Sequence, residues 1–212
     1  MPLSSHTLHS SHASHGSDQL TGLPGRAQLL AQLAYAHQAM VERRLGFAVL
    51  AVAPCGLERL RQEHGADPVD RGLLGMAQVF RDSLRGDDGV GHCGEGRFIA
   101  YATQMRSDAD TLALARRIHD RLRWSFAGAG LTRDVAHVTV NMGLTRRLPC
   151  VAESEAAELV QEALGALALA QQSETGALRL YAAPTLLREL HTGRPAPAGV
   201  RGAQRWTDAE RP

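Results

Sequence analysis

Lysine is missing from this chain of 212 residues: all 23 basic side chains are arginine. A phosphate held here must be met by a guanidinium, which forks around two oxygens, and not by a compact ammonium. Net charge is almost absent as well. The 23 basic residues face 22 acidic ones for a formal +1, which predicts no broad field for nonspecific nucleic-acid or membrane binding. No apolar run reaches the ~18 residues that span a bilayer. Cysteine is scarce, and Cys55, Cys93 and Cys150 are odd in number and scattered. That argues against a disulfide framework and for a reducing cytoplasm. The amino terminus has no charged start followed by an apolar core, so it does not read as a secretory signal.

What is present is ordinary for a soluble globular domain: 44% hydrophobic and 21% charged residues, in a length that fits one core with tails. Residues 1–17 are Ser- and His-rich without apolar periodicity, the composition of a disordered leader. His6, His9, His12 and His15 recur every third residue. Nothing orders them, so they read as a polar leader and not as a metal site. The stretch "TGLPGRAQLLAQLAYAHQAMVERR" predicts a turn and then a helix, with Leu29, Leu30, Leu33, Ala34, His37 and Met40 near one face. "GFAVLAVA" is a continuous apolar run, hence a buried strand. Residues 56–64 read as a short helix, and "ADPVDRGLLGMAQVFRDSLR" as another with Asp67 as N-cap and Pro68 at the first helical position. A glycine-rich hairpin follows, with arms near 89–93 and 97–103. A helix capped by Ser107 or Asp108 comes next, then the strand "DVAHVTVNMGLT", the helix "ESEAAELVQEALGALALAQQ" and the closing strand "ALRLYAA". Residues 184–212 read as a tail, with "PTLLREL" one or two helical turns within it. The order α–β–α–α–β–β–α–β–α–β predicts an α/β (α+β) domain. Its mixed, mainly antiparallel sheet of about five strands is flanked by helices.

The hairpin tip, "VGHCGEGRFIAYA", places Glu95 and Arg97 between and beside Gly94 and Gly96. "DQLTGLPGR" (18–26) resembles the D-x-L-T-G-L-x-N-R motif that opens GGDEF domains, the diguanylate cyclases, with Gly25 where that motif has Asn. The element order matches theirs, the tip falls where their GG(D/E)EF signature sits, and "VTVNMGL" resembles their V-T-x-S-x-G strand. The resemblance covers residues 18–183. It implies a nucleotidyl-cyclase-like fold. It also implies a reaction in which two GTP-loaded domains face each other and two metal ions stabilise the developing charge as cyclic di-GMP forms.

Placed on that pattern, the signature becomes Gly94-Glu95-Gly96-Arg97-Phe98. Gly96 stands for the metal-binding acid and Arg97 for the second acid. The strand-ending Asp falls on Ala53, the guanine-contacting Asn on Arg61 with Asp70 as its surviving partner, and the phosphate-binding Lys on Gln171. Magnesium is usually held by one or two carboxylates plus the substrate phosphates. Both expected carboxylates are gone, so neither magnesium nor another cofactor is expected. Losing one preorganised charge-stabilising group costs roughly 10²–10³ in rate, and several are missing. Glu95 lies one residue from the metal-binding position and would face another way on a hairpin. The resemblance therefore implies a catalytically inactive domain.

One family feature remains. Cyclases often carry an R-x-x-D site that binds cyclic di-GMP, its Asp six residues before the first signature glycine; Arg85 and Asp88 match it in "RGDD". Arginine forks phosphate oxygens and stacks on guanine, and the carboxylate accepts from the guanine edge. A second arginine comes from the following helix; Arg117 matches, with Arg116 the alternative. The bland reading of Arg85 is a cation at a helix C-terminus. Cys93 has no placed base, and His119 and His137 fit structural roles. The expected function is that of a cyclic di-GMP receptor signalling by contact to an unidentified effector protein. The alternative is an interaction or dimerisation scaffold without a nucleotide role, and homodimerisation stays open. GTP binding without turnover and residual cyclase activity rank below both.

Overall fold

The computed structural model describes residues 16–126, 138–150, 155–172 and 176–181, and the backbone of 203–206. The elements run α1 (Arg26–Arg43), β1 (Gly46–Cys55), α2 (Leu57–His64), α3 (Ala66–Ser83), β2 (Gly89–His92), β3 (Phe98–Met105), α4 (Asp108–Leu122), β4 (Thr139–Arg147), α5 (Ala156–Ala170), β5 (Leu178–Tyr181) and β6 (Ala203–Trp206). The sheet order is β2-β3-β1-β4-β5-β6, with β4–β5 the parallel pair and the other pairings antiparallel. The five expected strands are all there.

The sixth strand corrects the reading of 184–212 as a plain tail, because Ala203–Trp206 pairs along β5. A four-residue strand whose partner lies more than twenty residues back carries no local signal. The His-rich leader, His137 and "PTLLREL" fall outside the described residues.

β1 explains the two-sided core. Its apolar run is buried along nearly its whole length, and successive side chains alternate between faces. Phe47, Val49 and Ala51 join Leu29, Leu33, Ile99, Tyr101, Leu159, Ala163 and Leu167 under α1 and α5. Ala48, Leu50 and Val52 join Leu60, Met76, Phe80, Phe98, Ile118 and Leu122 under α2, α3 and α4. α1 buries Leu29, Leu33, His37 and Met40, the stripe its periodicity predicts. Ser107 caps α4 by accepting from the Asp110 amide at 3.1 Å. Asp67 does not cap α3: the cap is Gly65, at φ 82°, and Asp67 and Pro68 sit inside the first turn. Only a glycine makes so tight a passage from α2 without strain, and Pro68 lacks just an amide hydrogen that the first turn would leave unpaired anyway. No helix among the described residues is long and apolar enough to cross a membrane, and all three cysteines are free.

Two buried polar side chains, Glu162 and Thr145, are paired with each other. Glu162, on α5, accepts two hydrogen bonds from the Arg147 guanidinium at 2.8 and 2.9 Å and one from Thr145 Oγ1 at 2.6 Å. His37 packs edge-on against Phe47, and burial, with the Arg147 charge behind it, pushes its imidazole below the ordinary value. An unfolded histidine, at pKa about 6.5, therefore protonates before the folded one. The His37 contribution is complete above that pH and is lost as pH falls toward the folded value. The thermal midpoint is expected to drop between pH 7 and 5, with a shallower drop in His37→Phe. Equal slopes in the two proteins would refute this source.

Candidate functional site

Two places matter: the signature tip at one end of the sheet and the R-x-x-D turn beside β3. The tip is a tight hairpin in which Cys93 N–H donates to Arg97 O at 2.7 Å and Arg97 N–H to Gly94 O at 2.8 Å. Gly94, Glu95 and Gly96 all take positive φ, at 84°, 52° and 73°. Glu95 is exposed and Gly96 buried. A Cβ on Gly96 would lie 2.6 Å from Leu57 Cδ1 and 3.4 Å from both Leu73 Cδ2 and Pro54 Cγ. Position 96, where the sequence resemblance puts a metal-binding acid, thus faces hydrocarbon. Ala53 is buried at the end of β1, paired with Asn141. Arg97 buries its Nε without a hydrogen-bond partner, and Phe98 is fully buried against Phe80 and His92.

Around the same end lies a neutral cluster that the sequence pattern does not reveal. Asn141, fully buried, donates to Cys55 Sγ at 3.3 Å and accepts from the Ala177 amide at 3.0 Å; Gln171 Nε2 approaches Cys55 Sγ at 3.8 Å. Gln171, placed where a phosphate-binding cation is expected, brings no charge. Arg61 is exposed on α2 and Asp70 half-buried on α3, and no hydrogen bond or ion pair joins them. Burial pushes the Cys93 thiol up, opposed by the Arg26 and Arg97 charges, so it is not an activated nucleophile. Among the described residues no group of three His, Cys, Asp or Glu side chains is placed to hold a metal. The donor set at this end does not fit the paired divalent ions of a cyclase, which need carboxylate oxygens.

The opening motif works structurally. Asp18 Oδ1 accepts from both the amide and the hydroxyl of Thr21 at 2.7 Å, and Asp18 Oδ2 lies 3.0 Å from His92 Nδ1 without hydrogen-bond alignment. Burial alone would raise the Asp18 carboxyl, but the Thr21 hydrogen bonds and His92 outweigh it and hold it below the ordinary aspartate value. Arg81 adds a hydrogen bond to Thr21 O. The motif staples the chain entering α1 to α3 and to the signature hairpin.

At the other place, the structure brings Arg85, Asp88 and Arg117 together on one open cleft of about 470 Å³, shared with Ser83, Gln104 and Arg106. The turn is locked from both sides. Asp88 N–H donates to Arg85 O at 3.1 Å, and Arg85 N–H donates back to Asp88 Oδ2 at 2.9 Å. Asp88 Oδ1 accepts from the Thr103 amide at 2.8 Å and lies 3.2 Å from its hydroxyl, which ties the turn to β3. Arg117 reaches from α4 and donates to Ser83 O at 3.1 Å. The Arg85 side chain is exposed and makes no hydrogen bond or ion pair among the described residues. A fixed carboxylate, a guanidinium held over the cleft and a free one are suited to an anionic, hydrogen-bonding planar ligand. Arg116, the alternative to Arg117, does not line the cleft. Gln104 and Arg106 do, and spacing from the signature does not point to them.

Comparison with known proteins bears on the family and the fold. The chain matches the family model for the diguanylate cyclase GGDEF domain over residues 15–176. None of the curated proteins compared matches it. Among solved structures, it is similar to the GGDEF domain of PA1120 (TpbB or YfiN) from Pseudomonas aeruginosa. Identity there is 26%, over 77% of this chain and 93% of that one, with TM-score 0.64. It is similar to diguanylate cyclase SiaD in complex with its activator SiaC, also from Pseudomonas aeruginosa, at 24% identity over 76% of this chain and 61% of that one, TM-score 0.62. It shares the fold of the coiled coil and GGDEF domain of DgcB from Caulobacter crescentus, in complex with c-di-GMP, at 15% identity over 77% and 85%, TM-score 0.63. The family match spans more than half of the chain: the chain belongs to the GGDEF domain family.

Proposed function

We propose that this chain is a catalytically inactive GGDEF domain that binds cyclic di-GMP through Arg85, Asp88 and Arg117 and passes its ligand state to a partner protein by contact. The observation that carries the reading is the single cleft those three residues line, with the Asp88 carboxylate fixed by two backbone amides. The structural likeness to a GGDEF domain in complex with c-di-GMP supports the ligand, and the likeness to a cyclase in complex with its activator supports signalling by contact. The test is an equilibrium titration of the purified protein with cyclic di-GMP. Binding tighter than ~10 μM is expected, and no binding at that concentration would end the receptor reading.

Inactivity is supported by Ala53, by Gly96 and by the hydrocarbon around it. Restoring both acids, Ala53→Asp with Gly96→Asp, is expected to leave GTP unconverted in magnesium. A side chain at 96 must first displace Leu57 Cδ1, φ 73° strains it, and Gln171 still lacks a charge. Cyclic di-GMP appearing in that assay would show that the lost acids were the whole defect.

A protein-interaction scaffold without a nucleotide role is the second reading. Tyr35 at 81% exposure and Trp124 at 74% favour it, since large aromatics left in solvent often mark contact surfaces. It predicts that Arg85→Ala leaves partner binding intact while Tyr35→Ala or Trp124→Ala weakens it.

A further inference from the structure

β3 contains an irregularity beside the cleft. From Phe98 to Thr103 each residue pairs with β1 in an unbroken antiparallel register, but Gly46 pairs with Met105, so Gln104 is one extra residue. Gln104 takes φ 55°, the left-handed region that residues with a Cβ avoid. The extra residue switches the faces on which later side chains lie. Phe98, Ala100 and Ala102 face α3 and α4, whereas Ile99 and Tyr101 face α1 and α5. Unbroken alternation would put Met105 with Ile99 and Tyr101; it packs instead on the α3 and α4 side and lines the cleft. Gly46 makes room, since a Cβ there would lie 2.0 Å from Met105 O. The bulge brings Gln104 and Arg106 to the rim of the R-x-x-D cleft.

Their bonding leaves them open to a ligand. Gln104 Nε2 donates to Asp87 Oδ2 at 3.2 Å, which orients the carboxamide and leaves its carbonyl and second amide hydrogen for another group. Arg106 is exposed and, like Arg85, makes no hydrogen bond or ion pair among the described residues. Arg117, by contrast, is already engaged with Ser83 O. Beside the Asp88 and Asp110 carboxylates, the cleft therefore offers two uncommitted guanidinium forks, from Arg85 and Arg106, and one oriented amide.

We propose that the β3 bulge makes Gln104 and Arg106 part of this cleft's ligand-binding set. Arg106 engages one phosphodiester of a cyclic dinucleotide while Arg85 holds the other, and Gln104 pairs with a base edge. This rests on the receptor reading and adds two residues from β3 to its site.

The experiment is a calorimetric titration of cyclic di-GMP into the full chain and into Arg85→Ala, Arg106→Gln and Gln104→Gly, with thermal melts of all four. Glycine adopts φ 55° freely, so Gln104→Gly relieves the backbone and keeps the bulge. Its melting temperature is expected to hold or rise while affinity falls about fivefold, the loss of one hydrogen bond. Arg106→Gln is expected to lose roughly tenfold, the loss of a charged hydrogen bond. If Arg85→Ala loses binding while both other variants bind like the parent, this inference is overturned and the receptor reading stands. If the parent chain does not bind, both fall. Should Gln104→Gly melt lower, Arg106→Gln, outside the bulge and without a structural bond, still decides.

Discussion

Arg85→Ala is expected to weaken cyclic di-GMP binding by roughly 10–100-fold, the loss of a forked charged contact, while the protein melts where the parent does. The structure makes this an unusually clean variant. Arg85 contributes to its own turn only through its backbone, donating to Asp88 Oδ2 and accepting from the Asp88 amide. Alanine keeps both bonds. The guanidinium is exposed and uncommitted, so removing it takes away nothing the fold uses. Asp88→Ala would be harder to read, because it also unties the turn from Thr103 on β3. Arg85→Lys should recover only part of the loss, since an ammonium cannot fork two oxygens in a fixed plane. Unchanged affinity in Arg85→Ala, measured by calorimetry at fixed salt, would remove the R-x-x-D turn from the binding site.

The contrast between Arg85 and Gln104 shows what the sequence makes legible. Arg85 and Asp88 sit at a fixed count from the signature glycines, and that they share one turn is readable because turn, strand and hairpin are short and regular. The element order and the two faces of β1 are readable for the same reason: apolar periodicity reports local geometry. Gln104 leaves no such mark. A bulge adds one residue without altering composition, and a glutamine at φ 55° is chosen by what surrounds it, here Gly46 across the ladder and Asp87 beside it. Asn141 looks in sequence like one more residue of an alternating strand, yet it is fully buried and bonded on both sides of its amide. Leu57 looks like the first apolar residue of a short helix, and only the folded chain sets its methyl against Gly96. Each omission is a contact between segments far apart in sequence, which no periodicity encodes.

Gly143 is the position at which a single methyl group should do the most harm. It lies in mid-β4, paired with Ala51 on β1 and Arg179 on β5, and α5 crosses directly above it. A Cβ there would lie 2.1 Å from Ala163 O, 2.3 Å from Leu167 N and 2.9 Å from Ala166 C. These are helix backbone atoms, so no rotamer change relieves the clash; the whole of α5 must lift. That helix buries Leu159, Val160, Ala163, Ala166, Leu167 and Ala170 and carries Glu162, whose carboxylate neutralises the Arg147 guanidinium. Overpacking that side chains can absorb costs about 1–3 kcal/mol; where backbone must move, the cost of Gly143→Ala should reach about 3 kcal/mol or more. Gly143→Val should exceed what a domain with roughly 5–15 kcal/mol of stability tolerates, and is expected not to fold at 37 °C. Gly165 supplies the control on the same helix. It is exposed, a Cβ there meets nothing within 4 Å, and Gly165→Ala should stabilise by roughly 0.5–1 kcal/mol through helix propensity alone. Urea unfolding of the three variants beside the parent would measure both signs. A Gly143→Ala midpoint within error of the parent would mean that α5 does not rest on β4 as closely as described, and the packing of that face of the sheet would have to be redrawn.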